Sequence, residues 1–317
     1  MNVRHIAIVL VGLAASGQDS TRAQTSSQSL PTSLQLPEPT IPMGAAKQIS
    51  SHVWMITALP NVGIVLGQRA TLVVDTGLGA RNGAIVAGEA RKLSKPGARL
   101  YLTTTHFHPE HAAGDQGFPA DTIIIRNSAQ QEELDQQGEP FVETFRKMGY
   151  AKLLEGQKFR PTDIIYDREA RLDLGGTAVR LLWYGAAHTV GDQLIFVEPD
   201  DVLISGDVVQ NKMLPGTATD ASTVKAWRET VAQIQQLPVK IVVPDHSPAG
   251  DASLVTQQLA FLTDLEGLTG QAKRDGKSAD EAAKFVTAKM KQKYPDWTGM
   301  AGMDPLPDMV KRAYREN

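Results

Sequence analysis

The chain has 317 residues, enough for one large or two ordinary domains with a substantial core, and its net charge of −3 contains no long run of one sign, which leaves no basic surface for nucleic acid or another polyanion. It has no cysteine, so thiolate metal ligands, disulfides and a lipid-modified N-terminal cysteine are excluded. Any metal must be held by His, Asp and Glu.

Met1-Asn2-Val3-Arg4-His5 is a short basic start, residues 6–15 are apolar, and small residues stand at Ala14, Ala15 and Ser16. This layout predicts a secretory signal peptide over residues 1–23, cleaved after Ala15, Ser16 or Ala23, since the apolar run is too short for a permanent membrane span. A periplasmic or secreted location follows. The Ser-, Gln-, Thr- and Pro-rich stretch after it predicts a flexible leader over 24–45. A domain over 46–250 comes next, and then helices over 251–317 packed on it.

Three apolar runs at 52–56, 62–66 and 70–74 predict a β-meander, closed by Asp75-Thr76-Gly77. Residues 82–93 predict a helix, 99–105 a strand and 122–126 another. The polar stretch 128–154 reads as helical in two pieces, an excursion able to overhang a site. A second β-rich half covers 164–166, 170–174, 178–183, 193–197 and 202–204, followed by an amphipathic helix over 223–237 and a buried strand over 239–243. Two successive strand-then-helix halves predict two sheets packed face to face with helices outside. Beyond them Val255, Leu259 and Leu262 recur at helical spacing, and Ser278-Ala279-Asp280-Glu281 is a capping box that opens a helix carrying Ala282, Phe285, Val286 and Met290.

The strand at 99–105 delivers Thr105-His106-Phe107-His108-Pro109-Glu110-His111, which holds three of the chain's seven histidines. In extended chain His106 and His108 point to the same side and can grip one ion. Pro109 suits a first helical position, and the turn it starts sends Glu110 and His111 towards a second ion. A lone H-x-H is usually structural, whereas four ligand-type side chains this close read as a metal site. Three later residues extend it: His188 in Gly185-Ala186-Ala187-His188-Thr189, Asp207 in Ser205-Gly206-Asp207, and His246 in Pro244-Asp245-His246-Ser247. Each follows the end of a predicted strand, where α/β folds collect functional groups.

With these motifs in this order, the chain resembles the metallo-β-lactamase superfamily over about residues 53–247. The resemblance implies an α/β fold, a four-layer αβ/βα sandwich with the C-terminal helices as an extension, and two Zn²⁺ ions at one edge of the sheets. It implies His106, His108 and His188 on the first zinc, Glu110, His111 and His246 on the second, Asp207 bridging or joining them, and Asp75 as the structural aspartate behind the ligands. Family members usually carry aspartate where Glu110 stands. The extra methylene shifts the carboxylate by about 1.5 Å, so either the backbone adjusts or the second zinc is held more weakly, and Glu110 then serves partly as a base. Ala112-Ala113-Gly114-Asp115 stands where the family often has paired glycines.

Such a pair of ions lowers the pKa of bound water towards ~7 and polarises a carbonyl, so hydrolysis is the implied chemistry. The expectation is an exported zinc hydrolase in which metal-bound hydroxide, oriented or bridged by Glu110 and Asp207, attacks an ester, lactone, thioester or amide. The occupied site keeps about one unit of positive charge, which stabilises an anionic intermediate. Imidazole and carboxylate ligands favour zinc over iron or manganese, and family members with two irons typically have glutamate where His108 stands. Many true β-lactamases of the family place cysteine or serine where Asp207 stands, whereas glyoxalase II-like thioesterases and lactonases keep aspartate. Export pulls towards β-lactams, which stay the less favoured substrate. Lys212 is a candidate anchor for a substrate carboxylate, with a solvated lysine as the commoner reading. The alternatives are a glyoxalase II-like thioesterase or a phosphodiesterase and, from another class, a non-catalytic metal-binding protein on the same fold. The expected partner is a small-molecule substrate, with no nucleic acid and no membrane once the signal is removed.

Overall fold

A computed structural model describes residues 41–316 apart from Ala218 and Asp220. The expected signal peptide and the leader up to residue 40 lie outside the described residues. Ile41 already belongs to the body: it is buried, its N–H donates to Asn82 Oδ1 at 3.1 Å, and its side chain packs with Ile56 and Ile64. Ile41, within the stretch expected as leader, thus finds apolar cover.

Strands β1 (Ala46–Gln48), β2 (Val53–Ile56), β3 (Val62–Leu66) and β4 (Ala70–Val74) form an antiparallel meander, as short connections dictate. Helix α1 (Ala80–Leu93) then crosses to β5 (Arg99–Thr103), which lies parallel to β4. β6 (Ile123–Asn127) and β7 (Ile164–Tyr166) continue the parallel part, so the first sheet runs β1 to β7 in sequence order. β7 was expected in the second β-rich half and instead closes the first sheet. The intervening α3 (Ser128–Phe145) supplies the long crossover that a parallel partner for β6 needs.

The second sheet, ordered β13-β12-β11-β10-β9-β8, comprises β8 (Glu169–Asp173), β9 (Ala178–Leu182), β10 (Leu194–Val197), β11 (Val202–Gly206), β12 (Ile241–Pro244) and β13 (Gly250–Asp251). β11 and β12 are parallel, joined through α4 (Val224–Ile234).

The two sheets meet over Val65, Leu72 and Val74 on one side and Leu181, Ile195 and Ile204 on the other. Both β4 and β11 are buried along their whole length, which is why they read as continuous apolar runs rather than alternating ones. α1 covers the outer face of the first sheet through Val86, Ala87 and Ala90. The outer face of the second carries α4 with α5 (Ser253–Arg274), α6 (Ala279–Lys293) and α7 (Leu306–Glu316), burying Trp227, Phe261, Val286, Met290 and Val310. The layers are thus helix, sheet, sheet, helix, with the C-terminal helices built into the outer layer. The capping box predicted at Ser278 and Glu281 is present in both directions. α7 also has an apolar stripe, Leu306, Met309, Val310 and Ala313, with Pro307 in its first turn, where proline is tolerated.

Candidate metal centre and adjoining cavity

β5 ends at Thr103, and Thr105 donates its N–H to Asp75 Oδ1 at 2.7 Å. The cluster that follows therefore bends away from the sheet, and His106 and His108 converge from a turn rather than from the extended strand that the sequence predicts. The physical reason is Asp75. It sits at the end of β4 with φ 70°, a left-handed backbone unusual for a residue other than glycine, and turns its buried carboxylate under the loop. His108 caps α2 (Pro109–Ala112), a single turn with Pro109 first, so Glu110 and His111 emerge as the proline predicts.

The seven expected ligand residues converge. His106 Nε2 lies 2.9 Å from His108 Nδ1, and His188 Nε2 lies 3.5 Å from that same atom. His111 Nε2 faces His246 Nε2 at 3.2 Å and Glu110 Oε1 at 3.7 Å. Asp207 stands between the groups, with Oδ2 3.4 Å from His188 Nε2 and Oδ1 3.4 Å from His246 Nε2. His106, His108 and His188 make one set of donor atoms within 4.8 Å of one another, Glu110, His111 and His246 a second, and Asp207 joins His106 and His111 in a third. Donors tetrahedral about an ion at ~2.1 Å are themselves about 3.4 Å apart, and these spacings approach that.

Electrostatics agree with a cation site. Burial, reinforced by the neighbouring imidazoles, holds His106 and His108 well below the usual histidine range. Burial also brings His246 down to about 4, so all three present neutral nitrogens near pH 7. Burial raises Glu110 to about 7. Burial pushes Asp207 up too, but His246, His188 and His111 outweigh it and hold the carboxylate low. His111 goes the other way: despite burial, Asp75, Asp245 and Glu110 raise it well above the usual range. Three carboxyl groups thus surround one buried imidazole, and the site favours positive charge. The converging atoms His106 Nε2, His108 Nδ1, His188 Nε2, His111 Nε2 and His246 Nε2 face one another and the carboxylates, with Glu110 Oε2 buried beside them without a hydrogen-bond partner, as groups that fit a metal would be.

Residues behind the ligands fix their orientation. His188 Nδ1–H donates to the Gly216 carbonyl at 2.5 Å, which leaves Nε2 for the site. Asp75 Oδ2 lies 3.1 Å from His111 Nδ1. Asp245 was not singled out in the sequence, yet its Oδ2 lies 3.2 Å from the same nitrogen and accepts from Thr105 Oγ1 at 2.8 Å. Its one sequence signal is a carboxylate directly before His246 at a strand end. Gln210 Nε2 donates to Asp207 Oδ1 at 2.9 Å, while its Oε1 accepts from Ser247 Oγ at 2.7 Å, so it couples the two loops. Glu133 of α3 accepts the N–H groups of Val190 and Gly191 at 2.9 and 2.7 Å and pins the loop bearing His188. No local pattern announces Glu133, whose partners lie more than fifty positions away, or the link from Gln210 to Ser247, 37 positions on. Gly206 has φ 57°, and a Cβ there would lie 2.7 Å from Thr105 Cβ, so only glycine lets β11 bring Asp207 this close.

Lys212 takes no part. Its Nζ pairs with Asp296 at 2.5 Å on the surface, away from the ligands.

The ligand groups form one end of a cavity of about 500 Å³, where His108, Glu110, His188, Asp207 and Gln210 are exposed to it. Phe141, Phe145 and Met148 wall one side, the last from the π-helical turn Arg146–Tyr150 that follows α3. Met300, Met303 and Met309 wall another. The excursion at 128–154 does border the site.

A family model described as the metallo-beta-lactamase superfamily matches residues 57–246, more than half of the chain and all seven converging ligand residues. The chain belongs to the metallo-β-lactamase superfamily. No curated protein matches this superfamily member. Among solved structures it is similar to a metallo-beta-lactamase from Pontibacter korlensis, with 20% identity and TM-score 0.54 over 69% of this chain and 98% of that one. It is similar also to a metallo-beta-lactamase from Erythrobacter litoralis, at 16% and 0.54, over 71% and 99%. The sec-alkylsulfatase Pisa1 from Pseudomonas sp. aligns with TM-score 0.67 and 14% identity over 86% of this chain, which spans 50% of that protein's length. At these identities the likeness is one of fold. It agrees with the α/β sandwich and helical C-terminal region described above.

Proposed function

We propose that this superfamily member is an exported binuclear zinc hydrolase that cleaves a carbonyl compound, an ester, lactone, thioester or amide. The observation that carries this reading is the convergence of five imidazoles and two carboxylates in overlapping sets of donor atoms, of which His108, Glu110, His188 and Asp207 line a cavity. His106, His108 and His188 would hold one ion and Glu110, His111 and His246 the other, with Asp207 facing both. Two bound zinc ions would supply Lewis acidity and a water of lowered pKa.

The chain's own groups do the rest. Asp207 stays ionised and, with Gln210 holding its Oδ1, offers an oriented acceptor to water at the junction of the two sets. Glu110 would serve the second ion as a carboxylate, since a bound cation displaces the proton that burial favours in the metal-free site. A carbonyl presented to His108 and His188 from the cavity is brought beside both carboxylates.

The alkylsulfatase likeness adds a sulfate ester to the compounds worth testing. Metal analysis of purified protein should find about two equivalents of zinc. Turnover of a lactone, a thioester or a carboxylic ester should be abolished by chelator and restored by zinc. The panel also includes a chromogenic cephalosporin, a phosphodiester and a secondary alkyl sulfate. Less than about half an equivalent of metal, or turnover indifferent to chelation, would overturn the proposal. Export is tested separately, by locating the protein and sequencing its mature N-terminus.

A further inference from the structure

The matched domain ends at residue 246, yet a large part of the cavity wall comes from beyond it. Met300 and Met303 precede α7, and Met309 lies within it. The segment is fastened to the loop after Asp207: Met213 and Thr298 form a parallel β-bridge, with Leu214 N donating to Thr298 O at 2.9 Å and Thr298 N donating to Lys212 O at 3.1 Å. The Lys212–Asp296 pair lies beside that bridge and belongs to the fastening. From α7, Arg312 donates to the Ser222 carbonyl at 2.8 Å, and Ser222 Oγ donates to the His188 carbonyl at 3.2 Å. The extension is thus connected to both loops that carry Asp207 and His188.

The chemistry of the wall is one-sided. Away from the ligands it is mostly methionine, phenylalanine, proline and tryptophan, and the described lining residues include no lysine or arginine. Its only charged groups there are Asp304 and Asp308. Asp304 turns one oxygen outward to Lys291 at 2.5 Å. A carboxylate, sulfate or phosphate on the remote part of a substrate would meet apolar side chains and two carboxylates with no cation to pair with, which opposes its entry. Unbranched methionine side chains adapt to an aliphatic or aromatic body of varied shape.

We infer that the C-terminal extension, through Met300, Met303 and Met309 together with Phe141, Phe145 and Met148, forms the specificity pocket for an uncharged, apolar acyl or alkyl group of the substrate. This rests on the hydrolase reading above, and the test separates the two. On the full-length zinc-loaded protein, kcat/KM for 4-nitrophenyl acetate, butanoate and hexanoate should rise about fourfold per methylene, the factor for burying a methylene. The mono-4-nitrophenyl ester of adipic acid, which ends in a carboxylate, should fall at least 100-fold below the hexanoate. Met303→Arg should narrow that gap at least tenfold, with circular dichroism confirming its fold.

Metal-dependent turnover with a flat chain-length series, or with the adipate ester equal to the hexanoate, overturns the inference and leaves the hydrolase standing. Should no ester be turned over, calorimetry with hexanamide and decanamide still decides the pocket. Decanamide binding tighter by about fourfold per methylene supports it, and equal or no binding overturns it.

Discussion

Glu110 lies on one turn of helix with its carboxylate buried near His108 and His111, and burial raises its pKa to about 7. A folded-state pKa above the ordinary 4.5 means that the folded chain keeps a proton which the unfolded chain releases. In metal-free protein the wild type should therefore lose stability relative to Glu110→Gln as pH rises from about 4.5 to about 7, by roughly 3 kcal/mol in all. Urea denaturation of both proteins in chelator, over that range, checks this; parallel pH profiles would show that the carboxylate is not buried as a charge. A metal ion competes with the same proton, so the second equivalent should bind more weakly below pH 7. Glu110→Asp retracts the carboxylate by about 1.5 Å, and affinity for the second ion should drop at least tenfold with the first unaffected. Tighter binding by the aspartate would mean that the glutamate is strained. Asp75 holds His111 and Thr105 together, so Asp75→Asn should cost about 10- to 100-fold in metal affinity, read by competition with a chromophoric chelator.

The elements divide by what holds them. α2 has four residues, too short to persist alone and without a side-chain cap at His108, and is held by Thr76, just after β4, which donates to the His111 carbonyl at 2.9 Å through its backbone N–H. α6 is the reverse case, with a complete local signal in its capping box. Ser278→Ala should destabilise the protein by about 1 kcal/mol, visible as a lower denaturation midpoint with an unchanged slope. Lys212→Ala should cost less than about 1 kcal/mol, because its pair with Asp296 is half exposed. It should also leave KM for a carboxylate-bearing substrate unchanged, and a rise would return Lys212 to the site. α3 shows how an element reaches function without a motif: Glu133 fixes the His188 loop and Phe141 stacks on His108 at 4.7 Å between ring centres.

Among the described residues the sheets and the helical layers bury apolar clusters of their own. None of the seven ligand residues contributes to the clusters between the sheets or under the helices. Stripping the metal should therefore leave a folded protein with native far-ultraviolet circular dichroism and a single cooperative transition. Its midpoint should fall by roughly 5–15 °C, the loss expected when a tightly bound ligand is removed. Collapse on chelation would mean that folding itself depends on the ions. The outer layer of C-terminal helices covers the second sheet with Phe261, Leu265 and Met290, and it also carries the cavity wall, so stability and specificity share one extension.

The amino-acid order by itself determined the two strand-then-helix halves, the candidate ligand residues and the helix starts at Pro109 and Ser278. Each of these rests on neighbours close in sequence: apolar runs, a proline at a first helical position, a cap three residues from its partner. Only the tertiary structure decided the rest. It set β7 in the first sheet, bent the histidine cluster off its strand through Asp75, paired Lys212 with Asp296, and placed Asp245, Gln210 and Glu133 behind the ligands. It also brought Met300, Met303 and Met309 to one cavity with Phe141, Phe145 and Met148. These contacts join residues tens to more than a hundred positions apart, and no local periodicity records which side chains a closed sandwich will bring face to face.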